Sequence, residues 1–345
     1  MSDALQSALA EALADLVTVI ETCDDEVLDP DTAVKWLEST GYTLQRLSES
    51  DRRTLDGLFR EAALRQEPGP WRDSLLNVSE GFGLTVDVHA ERCDAIEDHV
   101  GRFVAAVRAA DPATPVPTCP GWTLADLTRH VGAVHRWAEH LVRTRSATRV
   151  LAGDLPLDLP EDPAAYPDWL EAAADSCLKT LQDAAPDDRI WSPGADAHVR
   201  YYPRHLLFEL VVHLADAELA LGGAAGRIEP GTAADGIDCF LTNAPYIPWI
   251  AEPLAQLDRD GAVLRLAATD TGAAWSVTLG AGGFAWQRQA AGDATAADDT
   301  ATATVRGAAA DLLLLVHRRY GAEDPRLTVS GDRTLLDAWL AATAL

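Results

Sequence analysis

The stretch from Tyr202 to Leu221 constrains this chain most. Its apolar spacing predicts a helix over 202–221, with Leu206, Leu210, Ala217 and Leu221 on one stripe, His213 on that stripe and Glu209 at its edge. Residues four apart lie above one another on a helix, so a carboxylate and an imidazole at this spacing can close on a single metal ion. A carboxylate on a buried face also needs something positive to meet it. Two readings follow: a metal centre, or a salt bridge from Glu209 to an arginine beside a hydrogen-bonded core histidine. His205 extends the ladder upstream, but His205 and His213 are roughly 12 Å apart along the axis, too far for one ion. The pairs 205/209 and 209/213 are equally open on spacing alone, and a third ligand must come from another element.

Three further helices precede this one. Ile96, Val100, Phe103 and Val107 give the first a clean apolar stripe. The stretch 111–122, rich in X-Pro steps, predicts an extended, rigid connection. Thr123-x-x-Asp126 then caps the second helix, where Leu127, His130, Val131, Val134 and Leu141 share a face. His130 points inward as a core residue would, whereas His135 lies about 140° around the helix from it, and His140 does not share its direction. Residues 167–184 form the third helix. Four amphipathic helices with long crossovers predict a bundle, an architecture that builds metal sites from side chains on facing helices. His130 is the inward-facing candidate for the third ligand.

The flanks read differently. Residues 1–66 predict three short-jointed helices, one opened by Asp29-Pro30 and one by a box-like Ser48-x-x-Asp51, as a helical extension or interaction module. Pro and Gly at 66–70 and 81–83 mark a linker over 67–85, with the main body starting near Val86 and the bundle running over 86–227. From about Ile228 alternating segments at 262–268, 274–279, 284–287 and 301–305, then helices at 308–320 and 333–344, predict a small C-terminal α+β domain over 228–345. The fold class expected is thus multidomain, α and α+β.

The 54 acidic against 28 basic side chains leave a net charge of −26, which disfavours nucleic acid and anionic lipid as partners. Five cysteines without a Cys-x-x-Cys pair, and an N-terminus without a basic region or apolar signal core, predict a reduced, cytoplasmic protein with no membrane span.

Three separated stretches together resemble the mycothiol-dependent maleylpyruvate isomerase family of actinobacteria. They are Val116-Pro-Thr-Cys-Pro-Gly-Trp-Thr-Leu-Ala-Asp-Leu-Thr-Arg-His130, the Glu209-x-x-x-His213-x-x-Asp216 helix, and Asp311 to Arg319 with Leu327-x-Val-x-Gly-Asp332 and Trp339-Leu340. The resemblance covers about residues 86–345 and not the N-terminal extension. It implies a DinB-like four-helix metal-binding bundle with a C-terminal domain of sterol-carrier type. It places the zinc ligands on His130, Glu209 and His213, favouring the 209/213 pair. It also matches Arg319 to a family arginine, the candidate catalytic cation for an anionic substrate.

Two imidazoles and one carboxylate leave Zn²⁺, or another divalent metal, with an open position, which is the arrangement of a catalytic site. Asp216, about one turn beyond His213, is placed either to orient a ligand or to join polar packing. The function implied is activation of a low-molecular-weight thiol, mycothiol, for addition to an electrophilic substrate, as a cis–trans isomerase or a thiol S-transferase. The rival reading is a non-catalytic metal-binding scaffold that recruits a protein partner through residues 1–66.

Overall fold

The computed structural model describes residues 3–24, 27–44, 46–47, 49–84, 88–289 and 301–343. The chain divides into two compact units, Met1–Glu91 and Arg92–Leu345.

The first unit holds α1 (Asp3–Thr22), α2 (Pro30–Leu44), α3 (Glu49–Leu64) and α4 (Pro70–Gly81). Ala14, Val17, Phe59, Ala63, Leu75 and Val78 fill its core. The fourth helix occupies most of the stretch expected to be a linker over 67–85. Its Pro70 sits at the first helical position, where the missing N–H costs no hydrogen bond. Leu75 and Val78 then turn inward, and the helix stops at Gly83, whose φ of 63° suits glycine. Ser48 and Val86, singled out as a cap and a domain start, lie outside the described residues.

The second unit opens with α5 (Val88–Arg108), α6 (Leu124–Thr144), α7 (Tyr166–Gln182) and α8 (Tyr201–Ala220). These are the four helices expected of the bundle. The capping box at the start of α6 forms as predicted, Thr123 and Asp126 bonding each other's backbone amides. Helix α6 lies close against α7 because Gly132 carries no side chain: a Cβ there would meet Trp169 at 2.1 Å. Helix α8 is buried almost all round rather than along one stripe, as its near-continuous apolar sequence requires. The proline-rich connection before α6 is not extended. Pro115 pairs with Thr123, and amide bonds from Cys119 to Val116 and from Trp122 to Cys119 close it into a compact loop.

Two helices precede the first strand, where none was expected: α9 (Pro230–Asn243) and α10 (Pro248–Ala255). The strands β1 (Val263–Ala268), β2 (Ala274–Gly280), β3 (Gly283–Gln289), β4 (Ala303–Gly307) and β5 (Thr328–Gly331) form one sheet in the order β3-β2-β1-β4-β5. Only β1 and β4 run parallel. Helices α11 (Ala309–Val316) and α12 (Arg333–Ala342) complete the α+β part. Bundle and sheet share a continuous apolar core, so the helical bundle and the α+β part pack as neighbours within the second unit. Helix α11 packs on α9, β1 and β4. The chain leaves it through Arg318 in the left-handed region, φ 62°, and this turn carries Arg319 to α8. Among the described residues, no helix is long and apolar enough to cross a membrane.

Candidate metal centre

Helix α8 supplies Glu209 and His213, and α6, started by its capping box, brings His130 to face them. Glu209 Oε2 lies 3.5 Å from His130 Nε2 and 3.3 Å from His213 Nε2. Ligands about 2.1 Å from a tetrahedral centre are about 3.4 Å from one another, so both spacings match edges of such a site. The three donor atoms all fall within 4.8 Å of one another. His213 Nδ1 meets Asp216 Oδ2 at 2.8 Å, which leaves Nε2 for the centre. Trp122 covers the outer side, its ring centroid 5.1 Å from that of His130.

Beneath the three donors lies a second polar layer. Asp216 is fully buried and accepts from Thr118 Oγ1 at 2.6 Å, from His213, and from Arg319 through Nε at 2.8 Å and Nη2 at 2.7 Å. Burial alone would raise its pKa. The His213 and Arg319 hydrogen bonds outweigh that and hold the carboxyl well below the usual range. Glu209 follows the same pattern, raised by burial and lowered further by His130 and His213. Burial pushes His213 down, but Asp216, Cys119 and Glu209 raise it well above an ordinary imidazole.

Arg319, the candidate catalytic cation, lines the cavity and is paired there with a carboxylate. Two of its nitrogens are on Asp216, and Nη1 donates to the His317 carbonyl at 2.7 Å. Its charge is met from behind. His205 stands apart from the triad, stacked on Tyr201 with centroids 5.3 Å apart, so the geometry joins Glu209 to His213 and His130. His135 is buried, with Nδ1 on the Val131 carbonyl and a pKa lowered by burial; neither it nor His140 joins the cluster.

The mycothiol maleylpyruvate isomerase N-terminal domain family matches residues 93–218. This segment carries His130, Glu209, His213 and Asp216. No curated protein matches the chain. Among solved structures, the stereoselective inverting sec-alkylsulfatase Pisa1 from Pseudomonas sp. aligns at 14% identity over 90% of this chain and 43% of that one, with a TM-score of 0.26. The chain spans under half of that protein's length, and so weak a likeness carries no argument.

The segment that matches this family model forms one side of a cavity of about 510 Å³. Its other side comes from residues beyond 218, among them Cys239, Phe240, Ile247, Trp249, His317 and Arg319. Thr118 and Cys119 went unassigned in the sequence, although their Pro-Thr-Cys-Pro-Gly-Trp motif was its most specific stretch. Their part depends on the loop's closure, which sets Thr118 on Asp216 and Cys119 Sγ 3.5 Å from the same carboxylate.

Proposed function

We propose that this protein is a divalent-metal enzyme, with zinc the favoured ion. It activates a low-molecular-weight thiol, mycothiol, for addition to an electron-poor double bond, and the outcome is cis–trans isomerisation or S-transfer. The observation that carries this reading is the spacing of the His130, Glu209 and His213 donor atoms inside a domain of the mycothiol maleylpyruvate isomerase family.

The residues fit the group. Two imidazole nitrogens and one carboxylate oxygen suit Zn²⁺ and leave a position open for an incoming ligand. A cation held there would supply a Lewis-acidic point that lowers the pKa of a thiol to near neutrality. Asp216 fixes the His213 tautomer by accepting from Nδ1, and Arg319 with Thr118 fixes Asp216. Arg319 thereby acts as a positioning residue. Trp122 packs against the His130 ring beside the donors. A metal takes the imidazoles in their neutral form, so a cation competes with protons for His130 and His213 and its affinity rises with pH.

Metal content of the purified protein tests the first half of this proposal. One equivalent in the wild type, lost in His130→Ala and in His213→Ala, is expected; a wild type without stoichiometric metal rules the enzyme out. Turnover of maleylpyruvate, or conjugation of an electrophile, measured with and without mycothiol tests the second half. Equal rates in both conditions would remove the thiol mechanism.

A further inference from the structure

The cavity beside the triad has strongly biased walls. Trp122, Phe208, Phe240, Ile247 and Trp249 make most of its apolar lining. Among the described residues that line it, Arg319 is the one Lys or Arg, and Asp216 already compensates it. The next arginines, Arg92 and Arg204, both turn onto Asp235 and do not line the space. On the metal and thiol reading above, the cation's two charges are met by Glu209 and by the thiolate. Nothing positive then remains for a substrate carboxylate, and an uncompensated charge is costly in an apolar cavity.

What the cavity does offer is neutral. Tyr201 lines it, and its hydroxyl has no hydrogen-bond partner among the described residues; burial keeps that hydroxyl protonated, so it is a donor at neutral pH. His205, stacked on Tyr201, presents a second uncharged polar edge, its pKa lowered by burial. A volume of about 510 Å³ lies within the range of small-molecule sites and accommodates an aromatic ring with a short chain.

We infer that the electrophile is an uncharged α,β-unsaturated carbonyl compound with an aromatic or other apolar body, its oxygen received by Tyr201, and not a dicarboxylate. This rests on the thiol-activation reading, yet the cavity is testable without any chemistry. Saturated, unreactive probes are titrated into the full-length metal-loaded protein saturated with a small thiol, and again into the chelator-treated protein, followed by tryptophan fluorescence and calorimetry. The probes are 4-phenyl-2-butanone as the uncharged aryl ketone and succinate as the dicarboxylate.

The ketone is expected to bind in both states and at least about ten-fold more tightly than succinate. Tyr201→Phe should weaken the ketone by about five-fold, as loss of one neutral hydrogen bond does. Phe240→Ala should weaken it as well while leaving metal content unchanged. Failure of the ketone to bind, or succinate binding equally well or better, overturns the inference. A protein that binds the ketone but carries no metal instead retains the cavity assignment and discards the thiol reading.

Discussion

Asp216→Asn is the substitution that separates a built site from a chance cluster. The carboxylate is fully buried and takes two hydrogen bonds from Arg319, one from His213 and one from Thr118. Asparagine keeps one oxygen acceptor and turns an NH₂ group toward donors, so bonds are lost on one side and Arg319 is left charged and unpaired. Removing one partner of a buried pair costs about 3–5 kcal/mol, about a fifth or more of the roughly 5–15 kcal/mol that hold a domain together. The same change frees the His213 ring, and loss of such a supporting partner weakens metal binding by about 10–100-fold. Urea unfolding at pH 7 reads the first effect, and competition with a chromophoric chelator reads the second. Arg319→Met alone should also destabilise, by stranding Asp216, whereas the double substitution should cost less than the two singles together. The reasoning fails if Asp216→Asn loses under about 1 kcal/mol and also holds zinc as the wild type does.

Other perturbations report on the scaffold. Gly132→Ala drives a methyl group into Trp169, 2.1 Å from its ring, and should cost about 1–3 kcal/mol with a shift in tryptophan emission. Thr123→Ala removes the side-chain half of the α6 cap and should cost about 0.5–2 kcal/mol in the same unfolding assay. His317, pressed down to about 4 chiefly by burial, is protonated more readily in the unfolded chain, where an imidazole titrates near 6.5. Its contribution is therefore fully present above about pH 6.5 and lost as pH falls toward 4, by up to about 3 kcal/mol. Comparing wild type and His317→Asn by urea unfolding at pH 7 and pH 5 should show a steeper loss in the wild type; parallel losses would contradict it.

The elements that sequence reading missed share a cause. Helices α4, α9 and α10 each begin with proline at the first helical position, at Pro70, Pro230 and Pro248. Proline reads as a breaker inside a helical pattern and as a starter at its edge, and only the apolar period downstream tells the two apart. In α9 that period is thinned by small residues: Gly236 packs against Phe208 and Leu313 where a Cβ would come within 3.0 Å of both. The strands were legible because their alternation is flanked by turns, and β1, β2, β3 and β4 form near the expected places.

Within the site, what could be read and what could not divide along the same physical line. Helical spacing offered Glu209 with either His205 or His213, the resemblance favoured His213, and His130 came from the inward face of a second helix, so the convergence at 3.3 and 3.5 Å needs only that α6 and α8 face each other. The charge state of the cavity has no such local origin. Arg319 and Asp216 are 103 residues apart, and their pairing depends on α11 docking against α9 and ending in a left-handed turn at Arg318. Sequence could nominate Arg319 as a cation without showing that a buried carboxylate already holds it. That pairing links Arg319 through Asp216 to His213, and the substrate class inferred above rests on it.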